Sequence, residues 1–130
     1  MNVVLIDTPA AIWLAEDAPE LSARGRELID DPSNEWVASV ASVWEMAIKV
    51  RLGKLKIKSG TLAAFVERAK AQGIAFLSIS TEDALGVGEL APSGHKDPFD
   101  RLIASQCLRQ GMALLSVDVC FDAYGVTRVW

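Results

Sequence analysis

Four carboxylates stand where chemistry is possible. Asp7 ends the apolar run of residues 3–6, and Asp118 follows the apolar run of residues 113–117. Glu45 interrupts an apolar helical segment between Trp44 and Met46, and Asp100 lies in HKDPFDRLIASQ, residues 95–106, three positions after Asp97. Each has a structural explanation. An aspartate after a strand caps the next helix. Ser42-x-x-Glu45 has the form of a capping box. Asp97-Pro98 reads as an N-cap followed by proline at the first helical position, which puts Asp100 in the first turn, where the helix dipole favours an anion. Together they admit a second reading. Several carboxylates cannot all stay ionised at contact distance without a cation. An oxygen donor set suits Mg²⁺ or Mn²⁺ and not Zn²⁺. Such sites serve phosphoryl transfer, where the metal makes hydroxide from water and neutralises the phosphate.

These residues need a scaffold that brings strand ends together. The apolar, β-branched run NVVLI reads as a buried strand of a parallel sheet, and EWVAS, IAFLSIS, MALLSVD and VTRVW read as four more. Helical patterns fall between them: AAIWLA after Thr8-Pro9, APELSARGRELIDDP, VASVWEMAIKVRLG, TLAAFVERAKAQG, TEDALGVGEL, DPFDRLIASQCLRQG and the short piece VCFDAYGV. The third of these has an expected apolar stripe of Val43, Ala47, Ile48 and Leu52, with either Ser39 or Ser42 as its cap. If Ser39 caps it, Glu45 lies well inside the helix and requires another partner, because burying an unpaired carboxylate is costly. Strands alternating with helices predict an α/β fold with a central parallel sheet covered on both faces. Ligands of such sheets bind outside the carboxyl ends of the strands, where Asp7 and Asp118 fall.

The chain has 130 residues, enough for one domain, and 51% hydrophobic residues supply a core. A net charge of −4 does not advertise a nucleic-acid partner, although local charge can differ from the total. Cys107 and Cys120 match no metal spacing and are expected to be buried free thiols, consistent with a reducing cytoplasm. One histidine excludes a His-rich zinc site. No secretory signal or bilayer-length apolar run is visible, so a soluble cytoplasmic domain is expected.

Four stretches carry a family resemblance: LIDTPAAIWL, SVASVWEMAIKVRLGKL, HKDPFDRLIASQ and LLSVDVCFDAYGV. In that order they resemble the PIN-domain ribonucleases, in particular the VapC-type toxins of bacterial toxin–antitoxin pairs. The resemblance covers most of the chain. It implies a single PIN domain over residues 1–130, a three-layer α/β/α sandwich, and a Mg²⁺- or Mn²⁺-dependent endoribonuclease. Asp7, Glu45, Asp100 and Asp118 match its four acidic positions. Asp7, Asp100 and Asp118 would hold metal, and Glu45 would orient or deprotonate the attacking water. Ser116 matches a small hydroxyl residue before the last aspartate, and Asp97 and His95 match accessory positions. Pro9 departs from the histidine often found there in close relatives. The implied partners are an RNA substrate, a cognate antitoxin covering the acidic cleft and a second copy in a homodimer.

One basic run accompanies the acids: Lys49, Arg51, Lys54, Lys56 and Lys58. It reads either as a solvated helix end and connector or as a track for the RNA backbone, with Lys49, Arg51 and Lys54 as the named candidates. Exposed apolar surface is expected near Trp13, Trp44 and Trp130, with core packing favoured for Trp44. Two other functions fit an acidic parallel α/β domain. One is a catalytically silent PIN module that binds RNA or a protein. The other is a receiver-like phosphoacceptor, which would want paired acids after the first strand and a late lysine, and these are missing.

Overall fold

The structure is a computed structural model that describes residues 2–58 and 60–130. β1 (Asn2–Ile6) is the central strand of a five-stranded sheet ordered β3-β2-β1-β4-β5. β2 is Asn34–Ser39, β3 Ala75–Leu77, β4 Ala113–Leu115 and β5 Arg128–Val129. All four pairings are parallel. Side chains of β1 alternate between the two faces, as a strand requires. Val4 and Ile6 pack against α1 (Thr8–Ala15), α2 (Ala23–Asp30) and α4 (Leu62–Ala71) through Ala10, Ala11, Leu28 and Ala69. Leu5 points the other way, into a cluster with Ala41 of α3 (Val40–Arg51) and Ile103, Ala104 and Cys107 of α6 (Pro98–Gln110). α5 (Thr81–Val87) lies against α6, and a 3₁₀ helix spans Val119–Tyr124. The result is the expected α/β/α sandwich, with the expected order of elements.

Several details differ from the sequence-based expectation. β3 and β4 have only three residues each, because their ladders end before the polar ends of IAFLSIS and MALLSVD. Asp118 therefore sits not on β4 but at the cap of the 3₁₀ helix. Ser39, not Ser42, caps α3, accepting from the amide of Ala41, so no capping box holds Glu45. The α3 stripe is also turned. Ile48 and Leu52 are exposed, and the buried face is Ala41, Ser42, Glu45 and Met46. Trp44 is 53% exposed and meets Phe99 edge-on, with ring centroids 4.9 Å apart, instead of packing in the core. Trp13 and Trp130 pair at 5.7 Å and pack on the sheet-side cluster. Cys107 is buried, but Cys120 is exposed on the 3₁₀ helix, whose inward face is taken by Phe121 and Tyr124.

Candidate active site

The order of strands reverses direction between β1 and β4, and the acids gather at the carboxyl ends beside that switch point. Asp7 is 3% exposed and caps α1, with Oδ1 accepting from the amide of Ala10 at 3.0 Å. Its Oδ2 accepts a short hydrogen bond from the Ser116 hydroxyl. The same Ser116 Oγ accepts from the amide of Asp118 at 3.0 Å. One buried hydroxyl thus ties the acid after β1 to the loop that carries the acid after β4. Arg128 holds that loop from β5, donating to the Ser116 carbonyl at 3.2 Å while forked on Asp122.

Asp97 behaves as a cap. Its Oδ1 accepts from the amides of Phe99 at 2.8 Å and Asp100 at 3.2 Å. Those two bonds fix the first turn of α6, and Asp100 leaves that turn toward the strand ends. Its Oδ2 is 2.7 Å from His95 Nε2. His95, Asp100 and Asp118 offer ligand atoms that all lie within 4.8 Å of one another. Asp7 is outside this trio, although the charges of Asp100 and Asp118 act on it.

Glu45 comes from α3 on the opposite wall. It is 6% exposed, and Oε2 pairs with Lys49 Nζ at 2.9 Å. Among the described residues its Oε1 has no hydrogen-bond partner. The spacing of four between Glu45 and Lys49 is an ordinary helical ion pair and was readable in the sequence. Lys49 is therefore tied to the acids, not simply part of the basic run, and Asp97 and Asp100 also contribute to raising its pKa after the Glu45 bond. Arg51 and Lys54 are exposed beyond it. Thr8 of α1 donates to Ser42 of α3 at 2.8 Å, joining the two walls beneath the site.

The electrostatics fit a cation site. Burial pushes the Asp7 carboxyl up to about 6, against the hydrogen bonds from Ser116 and Ala10 and with the charges of Asp100 and Asp118. Burial likewise pushes Asp100 up to about 6, aided by Asp97 and Glu45 and opposed by His95. Asp118 goes the other way, held down first by the amide of Cys120. Two acids that resist ionisation beside one that ionises readily form a set that a divalent cation relieves. A buried carboxylate oxygen without a donor, on Glu45, is the other sign of such a set.

A family model for the PIN domain matches residues 4–126. No curated protein matches the chain. Among solved structures, VapBC from Salmonella typhimurium bound to DNA is similar, at a TM-score of 0.69 and 18% identity, covering 99% of this chain and 98% of that one. VapBC2 from Rickettsia felis, bound to a promoter DNA fragment, reaches 0.69 at 15% identity, covering 98% and 97%. VapC20 from Mycobacterium tuberculosis, described as a sarcin-ricin loop cleaving toxin, reaches 0.62 at 17% identity, covering 97% and 98%. At these identities the likeness is one of fold, and the family rests on the model, whose match spans nearly the whole chain: this protein belongs to the PIN domain family.

Proposed function

We propose that this chain is a Mg²⁺- or Mn²⁺-dependent endoribonuclease and the toxin of a toxin–antitoxin pair. The observation that carries the proposal is the gathering of Asp7, Asp100 and Asp118 at the strand ends, opposite the orphaned Glu45 oxygen. The toxin part is supported by the VapBC and sarcin-ricin-cleaving structures that share the fold. Asp7, Asp100 and Asp118 would hold the metal, directly or through water. When bound, the metal supplies an activated water and neutralises charge on the scissile phosphate. Ser116 fixes the Asp7 carboxylate and, through the Asp118 amide, the spacing between the two strand-end acids. Asp97 holds Asp100 by capping α6. Glu45 orients or deprotonates the attacking water with its unpartnered oxygen. Lys49 keeps the other oxygen in place.

The remaining partners follow from the same reading. An antitoxin segment would cover the acids, with a cationic side chain, arginine by preference, among them. The chain would act as a homodimer. No helix among the described residues is long and apolar enough to cross a membrane.

The test is RNA cleavage by the purified chain with Mg²⁺ or Mn²⁺ and with EDTA. Cleavage should require the metal, and Asp7→Asn or Asp100→Asn should lower it by at least about a hundredfold while circular dichroism stays unchanged. Full cleavage by a folded Asp7→Asn protein refutes the site. Metal binding without any cleavage favours the silent RNA- or protein-binding module instead.

A further inference from the structure

His95, partly buried in the loop before α6, is built into the molecule more firmly than a loop residue needs to be. The Arg101 guanidinium of α6 donates to its carbonyl from Nε at 3.3 Å and from a terminal nitrogen at 2.9 Å. The Tyr124 hydroxyl, from the 3₁₀ helix, donates to the same carbonyl at 3.1 Å. The His95 amide in turn donates to Ser93 Oγ at 3.1 Å. Two separate elements thus converge on one backbone oxygen in the loop between α5 and α6. What this clamp positions is the imidazole. Its Nε2 lies 2.7 Å from Asp100 Oδ2, and both belong to the trio completed by Asp118.

An ion pair with Asp100 alone would not require such a clamp, because a flexible surface pair forms without one. A metal ligand does require it, since ligand sets must be held to a fraction of an ångström. The observed separation also suits two neighbouring ligands. Bonds of about 2.1 Å at right angles place adjacent ligand atoms about 3 Å apart.

On the nuclease reading above, the geometry points to His95 Nε2 as a direct ligand of the catalytic cation, beside Asp100 and Asp118, selecting Mn²⁺ over Mg²⁺. The cation takes the place of the proton that imidazole and carboxylate share. An imidazole nitrogen distinguishes the two metals. Mg²⁺ is a hard ion that takes oxygen ligands and keeps its waters, whereas nitrogen donors are bound readily by first-row transition ions. The four-acid set alone would not discriminate in this way. Asp7, held by Ser116, keeps its place in the set from the buried side, directly or through water.

His95 is the only histidine of the chain, so a histidine nitrogen signal from untagged protein has one source. The experiment is pulsed electron paramagnetic resonance of the Mn²⁺-loaded protein, prepared with natural and with ¹⁵N-labelled histidine. The expected result is electron-spin-echo modulation from a directly bound ¹⁴N that changes to the ¹⁵N pattern on labelling. Calorimetry on His95→Gln should show Mn²⁺ affinity reduced about tenfold or more, with Mg²⁺ affinity within about twofold of the original. Bound Mn²⁺ without histidine-nitrogen coupling overturns the assignment, as does an equal loss for both metals or no Mn²⁺ binding. Because the coupling is read on the unaltered chain, a variant that folds poorly does not decide the matter. The two readings also separate. Nitrogen coupling without RNA cleavage sinks the nuclease proposal and leaves the ligand, and cleavage without coupling does the reverse.

Discussion

At the scale of single residues, the site is a set of carboxylates held against their own repulsion. Asp7 and Asp100 are both raised to about 6 by burial, so the folded chain holds protons there that the unfolded chain, near 3.8, has already lost. Between those values the native state binds more protons, and metal-free stability falls as pH rises through the folded pKa. From pH 5.5 to 7.5 the two groups together should cost on the order of 1–2 kcal/mol, a Tm drop of roughly 5 °C in EDTA. Saturating Mn²⁺ should flatten or reverse that slope, because it relieves the charged forms. A thermal melt series at both pH values tests this, and a metal-free Tm that climbs toward pH 7.5 would contradict it. Lys49 supplies a second residue-scale expectation. It is the cation nearest Glu45, and half of its side chain is exposed. Lys49→Met should lower stability by about 1–2 kcal/mol in EDTA, since it leaves a buried carboxylate unpaired. The loss should shrink when Mg²⁺ or Mn²⁺ is added. An equal loss in both conditions would mean that Lys49 acts by packing alone.

At the scale of elements, legibility in the sequence followed how simply each segment is buried. β1 and β2 read correctly because both faces of a central parallel strand are covered, and a continuous apolar run has no other good interpretation. The cap of α6 read correctly too, since Asp97 stands directly before its helix and proline. α3 did not. The spacing suggests a core stripe of Val43, Ala47, Ile48 and Leu52, yet Val43 is only half-buried and the other three are exposed, Leu52 at 61%. The buried face carries Ser42 and Glu45 because that face lines the site. Hydrophobic period fails where function puts polar groups inward. The acid after β1 and the cap of α6 were legible by position, but the bond of Ser116 to Asp7 and that of Tyr124 to the His95 carbonyl span 109 and 29 residues, which no local pattern encodes. The α5–α6 contact was equally hidden. Gly86 of α5 faces Ser105, whose hydroxyl donates to the Asp83 carbonyl at 2.7 Å, and a Cβ on Gly86 would lie 2.4 Å from that oxygen. Asp83 caps α5 in a box with Ser80 and takes Arg109 of α6 at 2.6 Å. Gly86→Ala should therefore force the two helices apart or break the Ser105 bond, costing about 1–3 kcal/mol in urea unfolding. Unchanged stability would show that the pair is looser than its contacts indicate.

At the scale of the whole molecule, the question is how a chain of net charge −4 takes hold of RNA. The charges are segregated. The acids lie at the strand ends, and the connector after α3 presents cations on its outer side. In that connector Leu55 and Ile57 turn inward against Phe65 and Met46, while Lys54, Lys56 and Lys58 face solvent. The amides of Lys54 and Leu55 fold it back onto the Lys49 carbonyl, at 2.8 and 3.2 Å. The basic segment is thereby fixed to the end of the helix that carries Glu45, about 9 Å of helix rise beyond that residue. Lys58 is engaged with Glu16 of the α1 end, which leaves Arg51, Lys54 and Lys56 as this run's exposed cations for phosphates. Each phosphate contact on single-stranded nucleic acid adds about 0.7 to the steepness with which affinity falls with salt. Lys54→Ala/Lys56→Ala, made in the cleavage-blocked Asp7→Asn chain, should flatten that slope by about 1.4 and weaken binding alike for unrelated RNA sequences. Fluorescence anisotropy over a salt series measures it. A slope that stays put would assign these lysines to solvation of the connector, and RNA would then have to reach the acids along another face, with Arg51 the next residue to replace.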